Sequence, residues 1–205
     1  MKLIWYGHSC FTLKTADTTI VLDPYADHYV PGYPPLSLHA DQVYCSHDHS
    51  DHSAAHIVSL SGHTCSAPVT ILDSWHDDVQ GAKRGANRIH IFTCEGMKLA
   101  HLGDLGCELD EIQTAALQNL DVLMIPVGGF YTIGPAQAAE IVAQLSPRIV
   151  VPMHYRGENF GYDVLARVED FLTLLPRSVT RLTNNQMEIT PDTPSQIIVP
   201  FYHTN

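Results

Sequence analysis

The stretch "CSHDHSDH" (45–52) places three histidines and two aspartates in the six positions from His47 to His52. It follows "DQVY" (41–44), which continues into it as a buried strand, so imidazoles and carboxylates gather where a strand ends. His47 and His49 lie two apart, and extended backbone turns side chains so spaced to the same side. Asp51 and His52 are adjacent and face differently unless the chain turns there. Four groups so arranged crowd one ion but suit two neighbouring ones. Catalytic metals take histidine and carboxylate ligands and keep a position for water. Further donors stand where other apolar strands end: His76 in "LDSWHDD" (72–78), Asp104 in "AHLGDLG" (100–106) and His154 in "VVPMHY" (150–155). Strand ends are where α/β proteins place their chemistry.

Working outward, short β-branched or aromatic runs separated by turn residues predict strands at 2–6, 11–15, 19–23, 41–46, 69–73, 88–92, 97–102, 122–127 and 148–153. "VLMIPV" (122–127) and "RIVVPM" (148–153) are almost wholly apolar, as strands covered on both faces are. Helical spacing predicts helices at "DEIQTAALQNL" (110–120), "PAQAAEIVAQL" (135–145) and "DVLARVEDFLTLL" (163–175), the second with proline in its first turn. "PGYPP" (31–35) is an irregular loop, because proline withholds backbone donors. Two β-rich halves, each followed by helices, predict one α/β domain over 1–205, with sheet inside and helices outside.

The balance of 11 Lys+Arg against 22 Asp+Glu, a net charge of −11, excludes nucleic acid and anionic membrane as main partners. A local basic pocket stays compatible with it. Five scattered cysteines (Cys10, Cys45, Cys65, Cys94, Cys107), with no C-x-x-C pair, form neither a disulfide framework nor a structural zinc ribbon. The amino terminus lacks the apolar core of a signal peptide, and no run reaches the ~18 apolar residues of a membrane helix. A soluble, cytoplasmic protein is expected.

H-x-H-x-D-H, a G-D after a strand and a late histidine after another strand together resemble the metallo-β-lactamase fold. The chain looks most like its small cytoplasmic metal-dependent hydrolase branch, which includes relatives of ascorbate-6-phosphate lactonase and UPF0173 proteins. The resemblance also takes in "YGHSCF" (6–11), "LDPY" (22–25), "HDDVQGAKRGAN" (76–87) and "IPVGGFYTIGPAQA" (125–138). It implies an αββα sandwich, two mixed β-sheets flanked by helices. It implies one metal position of His47, His49 and His76, a second of Asp51, His52 and His154, and Asp104 bridging them together with a water that becomes the nucleophile. Two divalent ions are expected, zinc first, with manganese or iron as alternatives. Asp51, Asp104 and His8 are the residues expected at the reaction itself, His8 because the family places its turn near the metals. His56, His63 and His90 rival His76 by position, and the 76–87 block favours His76.

Asp23 and His101 are expected to orient ligand imidazoles, and Arg84 and Tyr155 to touch an anionic or polar substrate group. Segments 31–35 and 155–162 are expected in the pocket wall, and "GGFYTIGP" (128–135) in its floor. His28, His39 and His203 read as surface residues, and Cys10 and Cys45 as small buried hydrophobes. The function implied is hydrolysis of a small-molecule ester, lactone or phosphodiester. The family's nucleases insert a further domain, for which this length leaves no room; a homo-oligomer stays open. The alternatives are an iron-dependent redox enzyme of the same fold and a non-catalytic, metal-stabilised binding protein.

Overall fold

The computed structural model describes residues 1–63 and 67–202, so Cys65 and His203 lie outside the described residues. Strands β1 (Lys2–Gly7), β2 (Cys10–Lys14) and β3 (Thr19–Leu22) form an antiparallel meander. The chain then makes β4 (Leu38–Ala40), β5 (Gln42–Tyr44), a 3-10 turn at Ala55–Ile57 and β6 (Val58–Leu60). It continues through β7 (Val69–Trp75), β8 (Ala86–Cys94), β9 (Met97–His101), α1 (Glu111–Ala116), β10 (Val122–Pro126), α2 (Pro135–Leu145) and β11 (Ile149–Met153). Last come α3 (Val168–Leu172), β12 (Val179–Arg181), β13 (Gln186–Glu188) and β14 (Gln196–Val199).

Two mixed sheets result, in the orders β13-β1-β2-β3-β5 and β12-β14-β11-β10-β9-β8-β7, with a small parallel pair β4-β6. Their inner faces share one core, in which Leu3, Trp5, Phe11 and Leu13 meet Phe92, Leu99, Val122, Met124 and Val151. The expected α/β sandwich is thus present. All three α-helices follow β9, and α2 buries Ala138, Ile141, Val142 and Leu145. The other side of β2 and β3 is covered differently: Cys10 and Val21 pack under Tyr25, Val30, Tyr33, Leu38 and Val58. Among the described residues the first half holds only the 3-10 turn, where helix was expected.

Strand direction builds the site. β1 and β3 both run antiparallel to β2, and β5 is parallel to β3. In the larger sheet β9, β10 and β11 are parallel, and β7 runs with β9 because each is antiparallel to β8. The carboxyl ends of β1, β3 and β5 release His8, Asp23 and Ser46–His47; those of β7, β9 and β11 release His76, Asp104 and His154. His154 donates its backbone N–H to the His8 carbonyl oxygen at 3.2 Å, which joins the two sets of ends. His8 (φ 51°), Asp23 (φ 44°) and His154 (φ 53°) all take the left-handed conformation, an uncommon and costly one for residues with a Cβ.

Three expectations about elements change. The helix predicted over 163–175 shrinks to Val168–Leu172, because tertiary hydrogen bonds claim the backbone before it: Ala166 N–H donates to Gly128 (2.7 Å) and the Leu165 carbonyl accepts from Arg156 Nε (2.7 Å). The helix over 110–120 is a single capped turn and a half, with Asp110 and Gln113 bonding each other's backbone N–H. β5 is half-buried, since it is the edge of its sheet.

Candidate metal centre

Ligating atoms of eight residues converge in three overlapping groups, within 4.8 Å inside each: His47, His49 and His76; His8, Asp51, His52 and His154; and His47, His52 and Asp104. The His-rich loop achieves this by leaving the extended conformation, with His52 N–H donating to the His49 carbonyl at 2.9 Å. That turn is what lets Asp51 and His52 face together. Asp104 stands between the sets. Its Oδ2 lies 3.2 Å from His52 Nε2, 3.2 Å from His154 Nε2 and 3.4 Å from His76 Nε2.

On the five-stranded side, Asp23 fixes the imidazoles. Its Oδ2 lies 2.8 Å from His52 Nδ1 and accepts the Ser46 hydroxyl at 2.6 Å, while Oδ1 accepts Ser46 N–H at 2.7 Å. Having given its proton to Asp23, Ser46 Oγ accepts from His47 Nδ1 at 2.9 Å. Both rings therefore carry hydrogen on Nδ1 and turn Nε2 inward, the orientation that ligation through Nε2 requires. On the other side, buried Asn87 donates to Ser74 Oγ (2.8 Å) and the Leu102 carbonyl (2.9 Å) and accepts Asp104 N–H at 2.9 Å. Asn87 is a functional position that residue chemistry alone misses, since its amide acts only through its neighbours.

Electrostatics favour a cation. Burial alone would raise the carboxyls of Asp104, Asp23 and Asp51, yet surrounding histidines hold all three well below the usual range. Burial pushes His47 down to about 3, helped by His52. Burial likewise takes His8 to about 4, with His154 adding repulsion and Asp51 opposing it. His52 moves the other way: burial lowers it, but Asp104 and Asp23 together raise it well above the ordinary value. Among the described residues no Lys or Arg pairs with these three carboxylates. His47 Nε2, His52 Nε2, His154 Nε2 and Asp104 Oδ1 are buried with no hydrogen-bond partner. Ring nitrogens left without hydrogen-bond partners, and carboxylates matched by no Lys or Arg, fit divalent cations.

Several expected residues fall elsewhere. His8 does join the site, 3.3 Å from Asp51 Oδ2 and with its ring 4.1 Å from that of His154. His56 and His63 are exposed, and His90 is buried against Tyr44 and Phe92, outside the clusters. His101 orients no ligand: its Nε2 donates to the Ser9 carbonyl (2.9 Å) and its Nδ1 accepts from Gly103 N–H (3.2 Å). Tyr155 is core, stacked on Trp5 at 5.5 Å, because it follows His154 in the chain and turns the opposite way. His28 and His39 are exposed as expected, Cys10 is buried, and Cys45 is only half-buried. A cavity of about 510 Å³ opens onto the cluster, lined by Tyr29, His49, Asp51, His76, Arg84, Asp104, Tyr131 and Tyr162. Segments 128–135 and 155–162 thus reach the pocket, whereas 31–35 does not; Pro34 and Pro35 line another groove.

Residues 2–154 match the model of the beta-lactamase superfamily domain. The chain belongs to the metallo-β-lactamase superfamily. A UPF0173 metal-dependent hydrolase of Opitutus terrae is 29% identical over 197 residues, which cover 77% of this chain and 86% of the relative. A UPF0173 protein of Pyrococcus furiosus is 30% identical over 181 residues, covering 76% and 83%. The crystal structure of a superfamily member from Thermotoga maritima, described by inference as a Zn-dependent hydrolase, covers 97% of each chain at TM-score 0.75 and 34% identity. As a member of this superfamily the chain is a metal-dependent hydrolase. Among the described residues no helix is long and apolar enough to cross a membrane.

Proposed function

We propose that the chain is a binuclear hydrolase of a small-molecule ester, lactone or phosphodiester. His47, His49 and His76 would hold one ion, Asp51, His52 and His154 the second, and Asp104 would reach both. The position of Asp104 carries this reading, since one carboxylate oxygen lies within 3.4 Å of imidazoles from both sets. When bound, two divalent ions supply a water deprotonated near neutral pH and a Lewis acid for the substrate oxygen. Zinc heads the expectation, and manganese and iron suit the same donors.

The chain's own residues divide the remaining work. Asp23 and Ser46 hold the tautomers of His52 and His47, and Asn87 holds the backbone of Asp104. His8, buried beside Asp51 and His154, stands on the side of the second set, where its Nε2 can take or return a proton with Asp51 as its partner.

Elemental analysis of untagged protein, purified without chelator, tests the reading: about two zinc or manganese per chain is the expected result. Asp104→Ala should lose metal and turnover together. Normal turnover in that variant would sink the binuclear mechanism, and two irons per chain would bring redox chemistry forward instead.

A further inference from the structure

Arg84 is the one cation among the described residues lining the 510 Å³ cavity, in a protein of net charge −11. It is unneutralised, since no carboxylate lies within ion-pair distance of it among the described residues. Its position is prepared from two directions. The Asp77 carboxylate, itself buried, accepts the backbone N–H of Val79 (2.9 Å), Gly81 (2.8 Å), Lys83 (2.9 Å) and Arg84 (2.7 Å), which folds loop 77–85 onto the end of β7. The guanidinium lies 5.6 Å over the Tyr131 ring and donates one Nη2 hydrogen bond to the Phe130 carbonyl at 3.0 Å. A guanidinium has five N–H donors, so most of its fork is left for something else.

Around it the wall is aromatic and cross-tied. Tyr162 donates its hydroxyl to the Tyr29 carbonyl at 3.2 Å, and its ring meets that of Tyr131 at 5.8 Å. A free, preoriented guanidinium on one wall, with His49, His76, Asp51 and Asp104 on another, matches a molecule carrying charge at one end and its scissile bond at the other.

We propose that Arg84 is a specificity residue that binds a distal anionic group of the substrate, a carboxylate or a phosphate, paired bidentately as such groups pair with arginine. This rests on the hydrolase centre proposed above and adds the substrate class: small anionic esters or lactones whose uncharged middle lies between Tyr29, Tyr131 and Tyr162. Arg84 touches the anion and takes no part in breaking the bond.

Binding of simple carboxylates to the metal-loaded protein tests this by calorimetry. The probes are the dicarboxylates from succinate to adipate, each against the monocarboxylate of equal length. One carboxylate is common to both members of a pair, so the affinity ratio reads the distal group alone. At least one diacid should bind tenfold or more tighter than its match. Arg84→Gln should bring that ratio near one with the monoacid affinity unchanged, and Arg84→Lys should keep part of it. Repeating the series with phosphonocarboxylates of the same lengths shows whether carboxylate or phosphate-like charge is preferred. A ratio near one across the wild-type series, or a high ratio that survives Arg84→Gln, would overturn the proposal. Metal content measured on the same samples separates the two readings. Fewer than two ions per chain counts against the binuclear centre, whereas the affinity ratio and its response to Arg84→Gln judge the anion site alone.

Discussion

The two sheets hold their imidazoles by different means. On the five-stranded side, His47 and His52 each bond through Nδ1 to a network centred on Asp23, so one buried carboxylate aims two rings. On the seven-stranded side, the Nδ1 atoms of His76 and His154 have no hydrogen-bond partner, and backbone geometry does the aiming. His154 sits in a left-handed turn pinned to His8, with Gly128 pressed against its carbonyl. His76 is fixed by its N–H to the Gly85 carbonyl (3.1 Å) and by the Asp77-ordered loop that follows. Side-chain anchoring concentrates control in one residue, while backbone anchoring spreads it over a loop.

That contrast can be broken at Asp23, where the largest effect is expected. Asp23→Ala removes the partner of His52 and, through Ser46, that of His47. On the two-ion reading, affinity for both ions should fall about 10–100-fold each, read by competition with a chelating dye. On the same reading, Asp77→Ala should act on one ion only, by roughly tenfold, because His76 is the sole candidate ligand beside that loop. Equal weakening of both ions by Asp77→Ala would dissolve the distinction between the two sides. Gly128→Ala tests backbone aiming directly. Its Cβ would fall on the His154 carbonyl oxygen, at a cost of about 1–3 kcal/mol in thermal unfolding, with loss of metal confined to the His154 set.

The smallest effect belongs to a histidine that neither side uses. His90 is 2% exposed, and burial depresses it to about 4, with Asp23 pulling the other way. Below pH 6.5 the unfolded chain takes up a proton that the folded chain refuses. His90 therefore costs nothing at pH 7 and on the order of 2 kcal/mol at pH 5, and its penalty is complete only below pH 4. His90→Phe should leave the melting temperature at pH 7 nearly unchanged and flatten its fall between pH 6.5 and pH 4. An unaltered acid profile would show that His90 is not held neutral.

Much of the site is legible in residue order because its candidate ligands cluster in one loop or stand at the ends of apolar strands. His47, His49, Asp51, His52, His76, Asp104 and His154 are such positions, and all seven come together. What escapes is whatever works through tertiary contact. Asn87 reads as an ordinary amide until Asp104 is beside it. His101 and Tyr155 stand close in sequence to ligands, yet pleating or a turn points them into the core. The α2 boundaries and strands such as β1, β10 and β11 agree with the structure because their residues are buried in helical, alternating or continuous patterns. Short strands such as β12 and β13 carry mostly exposed residues, so no apolar pattern announces them. The α3 region has helical spacing, but its backbone bonds to Gly128 and Arg156 win.

The hydrogen bond between His154 and His8 joins one of the last donors to be synthesised to the first. His47, His49 and His76 are all synthesised by the time β7–β9 can pair, whereas His154 follows His76 by roughly 4 to 16 seconds at ribosomal rates. A nascent chain therefore carries all three imidazoles of one set while the neighbouring set still awaits its last donor. On the two-ion reading proposed above, the site for the second ion would be complete only when the last donor has been made.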